Sequence, residues 1–191
     1  MRKVCYLFIF LSSTFQCSEF EPINGIPFRQ YADSVIDFSS EWNPSPGNWS
    51  SSRALGKEDV YKAGDKESSY GYGDNVNAWS PATEDGQREY LVFGFDTVQT
   101  IKIIEVYETW YPGAIDTVYI RSAETQRWEI VYSKPALTNL PDSARIFKLF
   151  LPLETTYLVD AIRLAINSPE VEGWNEIDAV AITGQRRKNE D

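Results

Sequence analysis

The chain has 191 residues with 28 acidic and 18 basic side chains, a formal net charge of −10, six tryptophans and no histidine. This length suits one domain with a sizeable hydrophobic core. The absence of histidine excludes Ser-His-Asp and Cys-His catalysis and every histidine-ligated metal site. An acidic surface repels nucleic acid and anionic lipid, so we expect no nucleic-acid partner.

The first residues have the features of an export signal. Two basic residues precede an apolar run from Val4 to Leu11, and small residues follow it. This pattern predicts a secretory signal peptide over 1–16. Cys17 is then either the lipid-bearing residue of a lipoprotein or a free thiol. We expect a linker over 17–33, a secreted or cell-surface location, and no membrane insertion of the mature domain.

Short alternating or β-branched runs between turn residues predict an all-β fold. In "YLVDAIRLAI", for example, Leu158, Ile162 and Leu164 share one face, which is the period of a strand with one buried side. About eight such runs occur, the number that a jelly-roll β-sandwich requires. We predict one sandwich domain over 34–184 and a polar tail over 185–191. The predicted strands are "SVIDFS", "REYLVFGF", "IKIIEVYET", "AIDTVYIRS", "RWEIVYS", "RIFKLFL", "YLVDAIRLAI" and "EIDAVAIT".

Two connections carry aromatic residues. Segment 44–86 is rich in Gly, Ser, Pro and Asp and predicts a long loop that is either functional or packed over the core. In "TWYPGAID", Pro112 and Gly113 suit the central positions of a type II turn. This predicts a tight hairpin with Trp110 and Tyr111 near its tip.

Exposed aromatic rings at such a tip offer flat apolar faces to a sugar ring or a partner protein. We therefore predict ligand-binding roles for Trp110 and Tyr111, the alternative being that both rings fold back over the edge of the sandwich. Trp79, Tyr72 and Tyr70 of the long loop are candidates for the same surface. The remaining tryptophans that we assign go to the core or its edge: Trp49, Trp128 and Trp174.

Several motifs resemble, in the same order, those of the discoidin-like, galactose-binding-type jelly roll. The two most specific are "ET-x-x-PGAI" over 108–115 and "WNEIDAV" over 174–180. The resemblance is strongest to the SD scarf domain of pappalysin metalloproteases and to the similar N-terminal module of an F-box leucine-rich-repeat protein, and it covers about 34–184. It implies a non-catalytic jelly roll, without naming a ligand.

Glu176 and Asp178 are two carboxylates at the head of an apolar strand. Strand alternation places them on one face with Val180 and Ile182. The "EID" stretch is similar to the start of the E-x-D-x-E signature of laminarinase-type glycosidases, but Val180 stands where the second catalytic acid is needed. Buried carboxylates need partners. We predict that these two accept backbone N–H groups from the long loop and pin it, with a structural calcium site as the alternative.

The sequence favours a non-catalytic extracellular recognition module that binds a glycan or an extracellular protein through loops at one end of the sandwich. No cofactor is expected apart from the calcium alternative. A structural or assembly protein that packs against a partner is the second hypothesis. A glycoside hydrolase that uses carboxylates alone is the third.

Overall fold

The computed structural model describes residues 25–59 and 73–188, which form nine strands and two short 3-10 helices. The strands are β1 Gly25–Tyr31, β2 Ser34–Phe38, β3 Glu89–Gln99, β4 Ile103–Trp110, β5 Ile115–Ser122, β6 Trp128–Ser133, β7 Arg145–Phe150, β8 Val159–Ile166 and β9 Glu176–Arg187. The 3-10 helices are Ser51–Ala54 and Ser168–Glu170.

The strands form two antiparallel sheets. Sheet 1 has the order β1-β9-β4-β7, and sheet 2 has the order β2-β3-β8-β5-β6. All eight strands predicted from the sequence are present. The prediction of an all-β jelly-roll sandwich is therefore confirmed.

The ninth strand, β1, lies in the segment that we predicted as a linker. It pairs with β9 from Gly25 opposite Arg187 to Tyr31 opposite Ala181. The sandwich thus includes residues on both sides of the predicted boundaries at 34 and 184. The sequence "GIPFRQY" has a proline and no clear alternation, so the exposed edge of β9, rather than local propensity, explains this strand.

The core lies between the sheets. Alternate residues of the central strands of sheet 2 point into it, among them Leu91 and Phe93 of β3 and Ile162 and Leu164 of β8, all fully buried. Burial of each such side chain contributes about 1.5–3 kcal/mol. The core therefore holds the two sheets together without a disulfide among the described residues.

Four loops meet at one end of the sandwich, which we call the loop end. They are the β2–β3 loop (39–88), the β4–β5 connection (111–114), the β6–β7 loop (134–144) and the β8–β9 loop (167–175). The antiparallel register brings them together, since Ile115 pairs with Ile166 and Trp110 pairs with Glu176.

The predicted hairpin at Pro112 and Gly113 is wrong. β4 belongs to sheet 1, where β9 and β7 occupy both of its edges, and β5 belongs to sheet 2, so residues 111–114 cross between the sheets. Gly113 has a φ of 116°, which matches the positive φ expected of a turn glycine. Its N–H donates to Oε1 of the buried Glu108 over 2.8 Å, and this bond fixes the crossover.

The predicted alternation of β9 also needs correction. Ile177, not Asp178, shares the central core with Val180 and Ile182. The cause is a pair of register shifts between β4 and β9 around Glu108. Strand periodicity alone does not reveal such irregularities.

The predicted signal peptide, Cys17, Tyr70 and Tyr72 lie outside the described residues. Within the described ranges, the helices are too short to cross a lipid bilayer.

Candidate ligand-binding site

An open cavity of about 160 Å³ lies at the loop end. We call it the tryptophan pocket and define it by the described residues that line it: Trp42, Trp49, Asp74, Ser80, Trp174 and Glu176. Three indole rings thus surround two carboxyl groups. The volume is close to that of a cavity that accommodates one benzene ring, about 150 Å³.

Trp79 anchors the long loop under this pocket. Its backbone exchanges two hydrogen bonds with Ile177 of β9, at 2.8 and 3.0 Å, and its indole Nε1–H donates to the carbonyl of Ser40 over 2.9 Å. The side chain is completely buried in the core. The loop is thereby fixed to a central strand of sheet 1.

A short series of backbone hydrogen bonds then positions two of the pocket tryptophans. The Trp42 N–H donates to the Ser80 carbonyl over 3.0 Å, and the Ser80 N–H donates to the Trp49 carbonyl over 3.1 Å. Ser80 follows Trp79 directly, so the anchored residue sets the place of both rings.

Glu41 organises the segment between these tryptophans. Its carboxylate accepts the N–H of Ser51 over 2.7 Å and the N–H of Ser45 over 2.9 Å. Burial opposes ionisation of Glu41, but these hydrogen bonds outweigh it and lower the pKa of the carboxyl group. The segment is therefore held by an ionised side chain near neutral pH.

Trp49 has an unusual backbone conformation, with a φ of 55°. A bulky residue rarely adopts this left-handed region, and such outliers concentrate at functional sites. The indole Nε1–H of Trp49 donates to Oδ1 of Asp74 over 2.9 Å. This bond fixes the ring and orients the Asp74 carboxyl group.

Trp42 and Trp174 form the other wall. Their ring centroids are 4.9 Å apart and their planes are nearly perpendicular, at 85°. Trp42 is 49% exposed, while Trp174 is half-buried. An edge-to-face pair keeps both rings in fixed positions and leaves an open aromatic surface.

Glu176 lies at the base of the pocket and is only 2% exposed. Its Oε2 accepts the N–H of Asn75 and the hydroxyl of Thr109, each over 3.0 Å. Burial raises the pKa of Glu176 to about 8, these two hydrogen bonds oppose the rise, and the adjacent Asp74 carboxyl group adds to it. The Glu176 side chain is therefore largely protonated at neutral pH.

Both carboxylates singled out in the sequence bond to the long loop as predicted. Glu176 accepts the N–H of Asn75, and Oδ2 of Asp178 accepts the N–H of Asp59 over 3.1 Å. Across 25–59 and 73–188, no three His, Cys, Asp or Glu side chains are grouped to hold a metal ion. The calcium alternative stays a prediction without support from this geometry.

Trp110 and Tyr111 do not stand free at a tip. Both are half-buried, with ring centroids 5.0 Å apart. The Trp110 ring covers Gly73, and the Tyr111 ring lies so close to Gly173 that a Cβ there would be 2.5 Å from it. Tyr111 also lines a second open cleft, of about 400 Å³, with polar and apolar walls. The rings mostly fold back, and Tyr111 also borders a cleft.

Trp79 was predicted to bind ligand, and this prediction is wrong because the ring is fully buried. Conversely, sequence reasoning missed Trp42, Asp74 and Trp174 as a group. Trp174 was assigned to the core or its edge, yet it lines the pocket. Its position directly before the "NEID" stretch was the available signal.

The carboxyl groups of Asp74 and Glu176 lie side by side in the pocket rather than across a gap, since Asp74 interacts directly with Glu176 and raises its pKa. Glycosidases keep their two carboxyl groups about 5 Å apart or more, so that substrate or water fits between them. The pair instead suits shared binding of a proton or a cation.

The chain is similar in sequence to known proteins. A family model described as "Pappalysin-1, SD scarf domain, C-terminal" matches residues 23–190. The F-box/LRR-repeat protein 4 of Bos taurus is 26% identical over 182 residues. That match covers 83% of this chain but 29% of the relative, so the chain spans less than a third of that protein's length.

Solved structures agree on the fold. Chitosan-binding module 1 from a Paenibacillus sp. IK-5 chitosanase/glucanase is 12% identical with a TM-score of 0.54, covering 81% of this chain and 99% of the module. The family 32 carbohydrate-binding module of Streptococcus pneumoniae EndoD is 13% identical with a TM-score of 0.50, covering 81% and 95%. Allantoicase from Saccharomyces cerevisiae is 12% identical with a TM-score of 0.50, covering 83% and 43%. Binding modules and an enzyme thus share this fold, which by itself does not decide between these functions.

Proposed function

The chain belongs to the pappalysin-1 SD scarf domain family, and we propose that it is a non-catalytic recognition module that binds a glycan in the tryptophan pocket. The observation that carries the proposal is the ring of Trp42, Trp49 and Trp174 around an open cavity at the loop end. Flat indole faces stack on the apolar faces of sugar rings. The cavity admits one ring of that size.

Rigidity of the site also supports a binding role. Trp49 is fixed by Asp74, Trp42 is hydrogen-bonded through its backbone to Ser80, and both depend on the buried Trp79. Preorganised aromatic side chains bind with a smaller loss of conformational entropy than mobile ones. A polar residue at the base then orients the ligand.

An extracellular setting belongs to the proposal. It rests on the predicted signal peptide over 1–16. Mass spectrometry of the protein recovered from the medium of expressing cells tests it. A mature N-terminus near residue 17 supports export, and recovery of the uncleaved chain from the cytosol contradicts it.

The test of glycan binding is a glycan array probed with the purified protein and two variants. We expect the wild type and Trp128→Ala to recognise the same saccharides, because Trp128 is an exposed tryptophan of β6 outside the pocket. The double variant Trp42→Ala/Trp174→Ala should lose them while remaining folded by circular dichroism. Saccharide binding that survives in a folded double variant would overturn the assignment of the site.

A second candidate function is that of an assembly module that packs against a protein partner. Ile130 and Leu153 are 55% and 83% exposed and line one open groove near the edge of sheet 2. Exposed apolar side chains in one place are typical of interaction surfaces. An Ile130→Ser/Leu153→Ser variant that loses a partner but keeps saccharide binding would separate this function from the first.

A further inference from the structure

The walls and the base of the tryptophan pocket differ in chemistry. The walls are three indole rings, while Asp74 and Glu176 supply two carboxyl groups at the base. Of the residues described at this pocket, none is basic. Within the described lining, no side chain of the protein itself therefore supplies a positive charge to these two carboxyl groups.

We infer that the pocket selects a sugar ring with a free amino group, a hexosamine that is not N-acetylated, whose ammonium group binds Asp74 and Glu176. This inference rests on the proposed glycan-binding function and names its ligand class. The ring would stack on the indoles, and the ammonium group would supply the missing positive charge.

Three physical effects favour such a ligand over a neutral sugar. Indole faces attract cations through their quadrupole. Two adjacent carboxyl groups repel each other when both are ionised, and a cation between them removes this repulsion. The net charge of −10 also raises the local concentration of cationic ligands around the protein.

An N-acetyl group would lose these advantages. It is uncharged, and it adds bulk to a cavity of about 160 Å³ that holds roughly one ring. The amide could still hydrogen-bond to Glu176 in its protonated form, so weak binding of acetylated sugars is compatible with the site.

The proton on Glu176 gives the inference a second signature. Asp74 is the titratable group that interacts with Glu176 from the facing loop, while its other contacts, the Asn75 amide and the Thr109 hydroxyl, do not titrate near neutral pH. With a pKa of about 8, Glu176 holds a proton in the free protein. An ammonium group that binds there should displace it, so binding should release a proton.

The experiment is isothermal titration calorimetry of the purified protein with two tetrasaccharides of equal length, β-1,4-linked glucosamine and β-1,4-linked N-acetylglucosamine, at pH 6. Titrations in two buffers of different ionisation enthalpy measure the protons released. We expect the glucosamine oligomer to bind about tenfold tighter, with proton release on binding.

Variants separate the site from general charge attraction. Glu176→Gln should bring the two affinities within about threefold and abolish proton release. Glu172→Gln is the control, because it removes an exposed carboxylate of the β8–β9 loop that does not line the pocket. It should keep the preference. If Glu172→Gln and Glu176→Gln weaken glucosamine binding equally, the inference is overturned in favour of non-specific attraction.

The outcomes distinguish this inference from the proposed function. Equal or tighter binding of the acetylated oligomer, lost in Trp174→Ala, would overturn the inference and leave the glycan function intact. Absence of binding by both oligomers overturns the inference. If the glycan array also shows no saccharide, the proposed function fails as well.

Discussion

The loop end of the sandwich carries two aromatic regions that differ in what lies beneath the rings. Where β4 ends and the β4–β5 connection begins, the rings of Trp110 and Tyr111 cover two glycines, Gly73 and Gly173. In the tryptophan pocket, Trp42 and Trp174 instead border an open cavity above Glu176. The first region uses glycines to bury aromatic surface, while the second leaves it available. An aromatic residue in a loop is therefore informative only once its neighbours are known.

The same contrast holds among the tryptophans of the β2–β3 loop. Trp79 is fully buried and hydrogen-bonded to β9, while Trp42, also in this loop, is half exposed. One indole contributes to stability, and the other is free to contact a ligand. Substitutions that separate stability from binding test this division of roles.

The largest effect on stability is expected for substitution of Trp79, the residue that anchors the β2–β3 loop to β9. Trp79→Ala removes a completely buried indole and its hydrogen bond to Ser40, so we expect a loss of about 3–5 kcal/mol in the free energy of unfolding. Urea denaturation followed by circular dichroism measures it. Trp128→Ala is the matched control, because this ring is 41% exposed, and it should cost about 1 kcal/mol or less. Equal losses would contradict the anchoring role of Trp79.

A smaller loss of stability is expected at Gly173, which packs against Tyr111 of the crossover. Gly173 has a φ of 106°, and a Cβ there would meet the Tyr111 ring at 2.5 Å. Gly173→Ala should therefore destabilise the protein by about 2 kcal/mol. The control is Gly56→Ala, which also has a positive φ, of 82°, but has open space around the added Cβ. If the two variants are equally destabilised, backbone conformation alone explains the loss, and packing against Tyr111 does not contribute.

Saccharide binding, in contrast to stability, should depend on the tryptophan pocket and not on the crossover. Trp174→Ala should weaken saccharide binding at least tenfold, because it removes one wall of the pocket, and should cost only about 1 kcal/mol in stability. Trp110→Ala, at the end of β4 beside the crossover, should change affinity less than threefold, which fluorescence titration can resolve. A greater loss of affinity in Trp110→Ala than in Trp174→Ala would place the site at the crossover instead.

The last comparison concerns pH. The pKa of Glu176 is about 8 in the folded protein against an ordinary value of 4.5, so the folded state binds more protons than the unfolded state between these values. Its contribution to stability is therefore complete below pH 4.5 and falls as pH rises to about 8. Each unit of this range changes the free energy of unfolding by at most about 1.4 kcal/mol.

Glu176→Gln removes this titration. Denaturation at pH 5, 6.5 and 8 should show that the variant loses less stability than the wild type as pH rises. The other titrating groups are the same in both proteins, so the difference between the two curves isolates Glu176. Parallel curves would show that this carboxyl group ionises normally in the folded protein.

Much of the architecture was predictable because strand signals are local. Period-two alternation identified eight strands, and the "NEID" carboxylates were correctly predicted to accept N–H groups from the long loop. Buried carboxylates need donors, and a nearby irregular loop is the main source of free N–H groups. Such arguments need no knowledge of which strands are neighbours.

The pocket was not predictable, because strand signals are local and do not show which loops are neighbours. Trp42 and Trp174 are far apart in the sequence and meet only because β2, β3, β8 and β9 bring their loops to one end. The crossover was mistaken for a hairpin because a Pro-Gly pair suits a connection between two sheets as well as a hairpin within one sheet. The strand β1 escaped detection because its pairing partner, not its own composition, makes it a strand.

The most direct test of the tryptophan pocket uses the indole N–H signals of the six tryptophans in a 15N-edited NMR titration with the glucosamine tetrasaccharide. Single Trp→Phe variants assign the signals. We predict that the signals of Trp42, Trp49 and Trp174 shift in proportion to saturation, while those of Trp110 and Trp128 stay in place. Shifts confined to Trp110 would contradict the account, because they would move the binding site from the pocket to the crossover.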